Sequence, residues 1–179
     1  LAFTRVDPTL TVVRHLADGD PIAPGMLIAS VEGSARGILR GERVALNLAQ
    51  RLSGVATLTR RYVEAVAHTS ARIVDTRKTT PGLRMLERAA VRAGGGHNHR
   101  HSLSDAVMLK DNHLAVLQSQ GLGLTEAIRA VRARIPHTMH LEVEVDSLEQ
   151  LDAVLAGEPD TIMLDNFGLD DLRAGVALI

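Results

Sequence analysis

The sequence predicts an α/β fold of parallel strands, read as an incomplete (β/α) barrel. Two observations carry this. Between residues 71 and 179, short apolar segments alternate four times with segments of helical periodicity, and alternation at that spacing gives a parallel sheet with right-handed crossovers. Each apolar segment also ends in charged side chains, and the C-terminal ends of parallel strands are where barrels and open α/β sheets place their catalytic groups. Strand ends are also simply where solvent begins, which explains one or two charges but less easily a set of Lys, Arg, Glu and Asp at successive ends. A closed barrel needs roughly 250 residues, so a chain of 179 predicts only part of one.

Residues 1–40 hold two β-like stretches, 9–13 and 26–31, around a loop rich in Asp, Gly and Pro. This segment is too short for a domain and reads as the end of one. Because it starts at Leu1, it is expected to be the remnant of a longer polypeptide. From residue 42 to 67 the pattern turns helical. Val44, Leu48, Leu52 and Val55 recur at three- and four-residue spacing, and Leu58, Tyr62 and Val66 continue it. Ser53-Gly54 is expected to split or bend that helix. Arg43 falls at its predicted start, where a cation opposes the helix dipole; that placement suits a solvated side chain or one awaiting a ligand.

The strand–helix units follow. Residues 71–75 form an apolar strand ending in Thr76, Arg77 and Lys78. Pro81-Gly82 then opens a helix to Arg92, with Leu83, Leu86, Ala90 and Val91 facing inward. Residues 106–109 form the next strand, ending in Lys110, Asp111 and Asn112, with a helix near 125–134. Residues 140–145 form another, ending in Glu144 and Asp146. Ser147-Leu-Glu-Gln150 reads as a capping box for a helix to Ala156, closed by Gly157. Residues 161–164 form the last strand, ending in Asp165 and Asn166. A final helix from near Leu169 stops in mid-pattern at Ile179, so the chain is expected to be cut short there as well.

Composition narrows the function. Net charge is −1, with 45 % apolar and 23 % charged residues, so no global field draws nucleic acid or an anionic membrane. Phe3, Tyr62 and Phe167 are the only aromatic residues, too few for base-stacking platforms. There is no cysteine, which removes disulfides and thiolate metal sites and fits a reducing interior. No apolar run reaches the roughly 18 residues of a membrane span, and no secretory signal opens the chain. A cytoplasmic protein is the default expectation. Of 20 basic residues only Lys78 and Lys110 are lysine. In so arginine-rich a chain, a lysine hints at a task needing a compact, mobile charge.

Placed on one face, the strand-end groups divide in two. Arg77, Lys78, His99, Arg100 and Lys110 make a cationic half; Glu144 and Asp165 make an acidic half. Arginine grips carboxylates in pairs and lysine meets phosphate as a point charge, while the acids suit Mg²⁺ held through water or sugar hydroxyls. A polyanion carried with Mg²⁺ is the expected ligand. Gly94-Gly95-Gly96 is expected to let the backbone approach it closely. His97, His99 and His101 alternate and could face a zinc or iron ion, but no carboxylate completes a ligand pattern with them.

The segments ERVALNLAQRLSGVAT (42–57), DTRKTTPGLR (75–84), GGGHNHR (94–100), SDAVMLKDNH (104–113), EVEVDSLEQ (142–150) and IMLDNF (162–167) together resemble the quinolinate phosphoribosyltransferase family, also called decarboxylating nicotinate-nucleotide pyrophosphorylase. The likeness runs in order from Glu42 to Phe167. It implies an N-terminal α/β sandwich domain, of which residues 1–41 would be a remnant, and a partial α/β-barrel catalytic domain over 42–179. It implies a glycosyltransferase of NAD biosynthesis that converts quinolinate and phosphoribosyl diphosphate to nicotinate mononucleotide, CO₂ and diphosphate, with Mg²⁺. Carried over by residue, Arg77, His99 and Arg100 would hold the quinolinate carboxylates, with Thr76 beside them. Lys78 and Lys110 would lie between the acid and the phosphoribosyl donor, and Glu144 and Asp165 would face the ribose and magnesium. Arg43 matches an arginine that the family passes into the partner's site, which implies a homodimer. Family chains continue beyond both ends, and the loops holding the donor's phosphate would follow Ile179. Two other readings remain: a paralogue of this fold acting on another aromatic acid, and a non-catalytic phosphate- or metal-binding module.

Overall fold

The computed structural model describes residues 2–179, in two compact units, Leu1–His99 and Arg100–Ile179. In the first, helix α1 (Ala2–Val6) precedes strands β1 (Thr11–Arg14) and β2 (Ala29–Glu32), which pair antiparallel with Thr11 opposite Glu32. Helix α2 (Ala35–Ala65) follows as one continuous helix of 31 residues. It starts at Ala35, not near residue 42, because Ser34 caps it: the hydroxyl accepts the Gly37 N–H at 3.0 Å. Gly37 and Gly41, which look like loop glycines in the sequence, are notches in this helix. A methyl group on Gly37 would meet the Asp7 carboxylate at 2.6 Å, and one on Gly41 would meet the Phe3 ring at 2.8 Å.

Two expectations are corrected on this helix. Ser53-Gly54 does not split it into two helices, since one interior glycine costs only about 1 kcal/mol and the packing of α2 on helix α3 (Arg84–Ala93) outweighs that. Arg43 is not at its start. It lies exposed beyond the second turn, where the dipole argument no longer applies.

The expected strand over 71–75 shrinks to one parallel bridge between Val74 and His97. His97 N–H donates to the Ile73 carbonyl at 2.8 Å and Asp75 N–H to the His97 carbonyl at 3.0 Å. On α3, Ala90 is buried but Leu86 is exposed; Glu87 turns inward in its place. The triple glycine serves packing. Gly94 and Gly96 are buried, and a methyl group on Gly96 would lie 2.8 Å from Thr59 of α2 and 2.9 Å from Val91. Between them Gly95 takes a φ of 90°, open to glycine at little cost.

The second unit is built on a three-stranded parallel sheet in the order β3 (Ala106–Leu109), β4 (His140–Val145), β5 (Thr161–Leu164). All three strands occupy the ranges expected from sequence. Alternation sorts their side chains. Val107, Leu109, Leu141, Val143, Val145, Ile162 and Leu164 face a core shared with Leu114, Ile128, Leu151 and Val154. By the same alternation the other face takes Met108, Glu142, Glu144 and Met163. The helical layer comprises α4 (Asp111–Ser119), α5 (Leu124–Arg132), a 3₁₀ turn (Leu148–Gln150), α6 (Leu151–Ala156) and α7 (Leu169–Leu178). Helix α4 is not foreshadowed by the sequence. Leu114 is its one buried residue, too little for a helical period to show. Ser147 does not cap α6 with its side chain; the 3₁₀ turn intervenes.

Candidate active site

The site residues foreseen from sequence fall in both units, and each unit has a constellation of its own. In the second, the β3–β4 register sets Leu109 opposite Val143, so one residue further on Lys110 stands opposite Glu144. Their side chains meet, Lys110 Nζ to Glu144 Oε2 at 2.7 Å. Adjacent strands run about 4.8 Å apart, which brings consecutive strand ends within side-chain reach. Lys110, grouped with the cations in the sequence, is thus paired with one of the acids. Its backbone N–H donates to His113 Nδ1 at 3.0 Å, so that ring nitrogen must be unprotonated for the bond to form.

Glu144 and Asp165 line one cleft of ≈ 290 Å³, together with Asp111, Asp146 and Asn166. Asp165 is held at the end of β5 by its N–H, which donates to the Val145 carbonyl at 2.9 Å. In the sequence Asp111, Asp146 and Asn166 stand at strand ends without an assigned role. Their only signal is that position. Arg100, also in this unit, turns one guanidinium N–H onto the Ala106 carbonyl at 2.9 Å. The turn after it is closed by Asp105, whose carboxylate accepts the N–H groups of His101 and Ser102 at 2.7 and 3.1 Å. Bonds from the Ser102 hydroxyl first, then from these amides, hold the Asp105 carboxyl below the ordinary aspartate range.

In the first unit, the loop carrying Thr76, Arg77 and Lys78 is pinned at both ends by carboxylates. At its start, Asp75 accepts from the His99 N–H at 2.7 Å, from Asn98 Nδ2 at 2.6 Å and from Arg88 Nη1 at 3.2 Å. At its far end Glu87 accepts the Thr80 N–H at 3.1 Å and is paired with Arg51 of α2 at 2.6 Å. Arg51 also donates to the Thr80 hydroxyl. Hydrogen bonding from Thr80, then from Arg51, lowers the Glu87 pKa despite its burial. This explains why Glu87 displaces Leu86 from the inner face. Thr76 is a turn former here, its hydroxyl accepting the Lys78 N–H at 3.1 Å. Lys78 is exposed. Arg77 Nε is buried without a hydrogen-bond partner among the described residues, a donor that needs an acceptor from elsewhere. Sequence reasoning missed Asp75, Arg88, Asn98, Arg51 and Glu87, whose partners are distant along the chain.

Among the described residues, no three His, Asp or Glu side chains converge on a point where a metal ion could sit, and no helix is long and apolar enough to cross a membrane.

A parallel α/β unit with a lysine–carboxylate pair and an acidic cleft at its strand ends is the ligand-binding layout of an α/β enzyme fold. The family model for the quinolinate phosphoribosyl transferase C-terminal domain matches residues 55–179, and that for the N-terminal domain matches residues 2–53. The chain belongs to the quinolinate phosphoribosyl transferase family. It is 51 % identical over 156 residues to the nicotinate-nucleotide pyrophosphorylase (carboxylating) of Mycobacterium leprae (strain TN), covering 87 % of this chain and 53 % of that one. It is 47 % identical over 171 residues to a Bacillus subtilis (strain 168) protein named "Probable nicotinate-nucleotide pyrophosphorylase (carboxylating)", covering 96 % of this chain and 58 % of the relative. Its fold matches NadC from Streptococcus pyogenes with a TM-score of 0.88 at 44 % identity, over 98 % of this chain and 61 % of that one. The chain thus spans rather over half the length of each of these three proteins, and its α/β architecture is that of the corresponding part of a barrel enzyme.

Proposed function

We propose that this chain is part of a quinolinate phosphoribosyltransferase of NAD biosynthesis, working in the cytoplasm as a homodimer. In this reading residues 1–41 belong to an N-terminal sandwich domain and residues 42–179 to the partial barrel that carries the chemistry. The observation that carries the proposal is the Lys110–Glu144 pair at the ends of adjacent parallel strands, with Asp165 lining the same cleft as Glu144. That arrangement sets a phosphate-seeking cation against the carboxylates a developing ribosyl cation requires. Family membership supplies the substrates. "Carboxylating" in the relatives' names describes the reaction read from the nucleotide side.

Arg77, His99 and Arg100 would grip the two carboxylates of quinolinate, beside Thr76. The orphaned Nε of Arg77 supports this, since a carboxylate would satisfy it. Lys78 and Lys110 would stand between the acid and the phosphoribosyl donor. As the bond from ribose C1 to diphosphate breaks, its electron pair leaves with diphosphate and positive charge builds on the sugar carbon. Glu144 and Asp165 stabilise that charge electrostatically. The pyridine nitrogen attacks the carbon, and the ring becomes cationic. The C–C bond to the neighbouring carboxylate then breaks and CO₂ departs. The electron pair left on the ring carbon, stabilised by the cationic nitrogen, takes a proton from water. No step needs a general base.

Mg²⁺ is the expected cofactor. Glu144 and Asp165 share their cleft with Asp111 and Asp146, yet no three such side chains among the described residues converge on one point, which fits an ion that would keep most of its water and be held mainly by substrate phosphate. When bound, magnesium neutralises charge on the departing diphosphate. Arg43, exposed on α2, would reach into the partner's site. The test is release of labelled CO₂ from quinolinate by the full-length protein with phosphoribosyl diphosphate and Mg²⁺. Stoichiometric CO₂ and nicotinate mononucleotide are expected, and their absence would overturn the reading.

A further inference from the structure

We infer that Asp75 is a positioning residue for the carboxylate grip, acting through His99 and the Arg77–Lys78 loop and not by touching substrate. The inference rests on the proposed reaction and goes beyond it, because Asp75 is not among the residues the family likeness assigns to ligand.

The Asp75 side chain is only 6 % exposed, and a carboxylate so enclosed must be fully engaged with donors. It is. One oxygen accepts the His99 N–H at 2.7 Å and Arg88 Nη1 at 3.2 Å, and the other accepts Asn98 Nδ2 at 2.6 Å. The same two partners close the ring from the far side: Arg88 Nη2 donates to the His99 carbonyl at 2.9 Å, and Asn98 Nδ2 to the Arg88 carbonyl at 3.1 Å. His99 is therefore held at both its N–H and its C=O, by one carboxylate and the guanidinium paired with it.

On its own chain, Asp75 begins the loop that carries Arg77 and Lys78. Its backbone N–H is fixed to the His97 carbonyl. The backbone contact between 73–75 and 97 is a single bridge, not a ladder, so little else holds the two segments in register. Without sheet pairing on either side of Val74, the Asp75 side chain does what strand hydrogen bonds do elsewhere. It converts two irregular segments, one bearing Arg77 and the other His99, into one preorganised wall. Preorganisation of that kind lowers the cost of binding a rigid dicarboxylate.

Full-length protein carrying Asp75→Asn tests this. The substitution keeps the volume but puts an NH₂ group against a donor and removes the charge facing Arg88. The expected result is a quinolinate KM raised about tenfold, with the KM for phosphoribosyl diphosphate changed less than about twofold. Parallel loss of both KM values together with melting temperature would assign Asp75 a purely structural role and overturn the proposal, as would unchanged kinetics. If Asp75→Asn fails to fold, Asn98→Ala keeps the Asp75–Arg88 pair and removes one donor. It should raise the quinolinate KM alone, about threefold to fivefold; an unchanged value overturns the proposal. Absence of turnover with quinolinate in the unsubstituted protein would overturn the proposed reaction and this inference together. Normal turnover with an insensitive Asp75→Asn variant would sink the inference alone.

Discussion

Lys110 Nζ and Glu144 Oε2 lie 2.7 Å apart because the β3–β4 register continues one residue beyond Leu109 and Val143. The lysine is 42 % exposed and the glutamate 14 %. So open a pair contributes at most about 1 kcal/mol to stability. In the proposed reaction its value is in placing charge, which separates effects on turnover from effects on folding.

If the proposed reaction holds, Glu144→Gln should lower kcat of the full-length protein by about 100-fold, the scale for one misplaced electrostatic group. The unfolding free energy should change by less than about 1 kcal/mol. Steady-state kinetics beside urea denaturation would check both. A variant that loses stability in proportion to activity would show that Glu144 is a structural group.

Glu87 contributes to the acid limb of stability. Its pKa lies below the ordinary value of 4.5, through Thr80 first and Arg51 second. A carboxyl whose pKa is lowered by folding stabilises the native state above its unfolded pKa and stops doing so as pH falls through the lowered native value. Glu87→Gln should cost about 1 to 2 kcal/mol near neutrality. The difference from the parent protein should shrink below about pH 4.5. Denaturant titrations at several pH values would show it, and a gap independent of pH would contradict the assignment.

Two glycines make a matched pair. Gly54, inside α2, has no atom within 4 Å of the place a methyl group would take, so Gly54→Ala should stabilise by about 0.5 to 1 kcal/mol. Gly96 has Thr59 and Val91 inside 3 Å, so Gly96→Ala should destabilise by about 1 to 3 kcal/mol. Thermal melts of the two variants should move in opposite directions.

If Arg43 serves the partner's site, Arg43→Ala and Lys110→Ala should each inactivate the full-length homodimer. Mixed and allowed to exchange subunits, the two variants should regain part of the activity, since one site in the heterodimer then has both residues intact. No recovery after verified exchange would place Arg43 outside the partner's site.

The strands over 106–109, 140–145 and 161–164 are legible because each is a short apolar run or, over 140–145, a strict apolar–polar alternation, a signal contained within a few positions. Residues 71–75 carry the same signal, yet they pair only through Val74 and His97. An apolar run does not say how much of it finds a partner. Ser34, the cap of α2, is hidden in the sequence because Gly37 and Gly41 resemble loop glycines until Asp7 and Phe3 are seen to fill the notches they leave.

The α/β alternation, the sparing use of lysine, and the charged residues that would stand at the strand ends are all written in the chain's residues. Those depend on residue type and local period. Who meets whom is set in three dimensions: Lys110 with Glu144, Asp75 with His99 and Arg88, Glu87 with Arg51, and Gly96 with Thr59. Such pairings follow from strand register and helix packing. Both are settled by the burial of side chains far apart in sequence, and a period of two or of 3.6 residues carries no record of them.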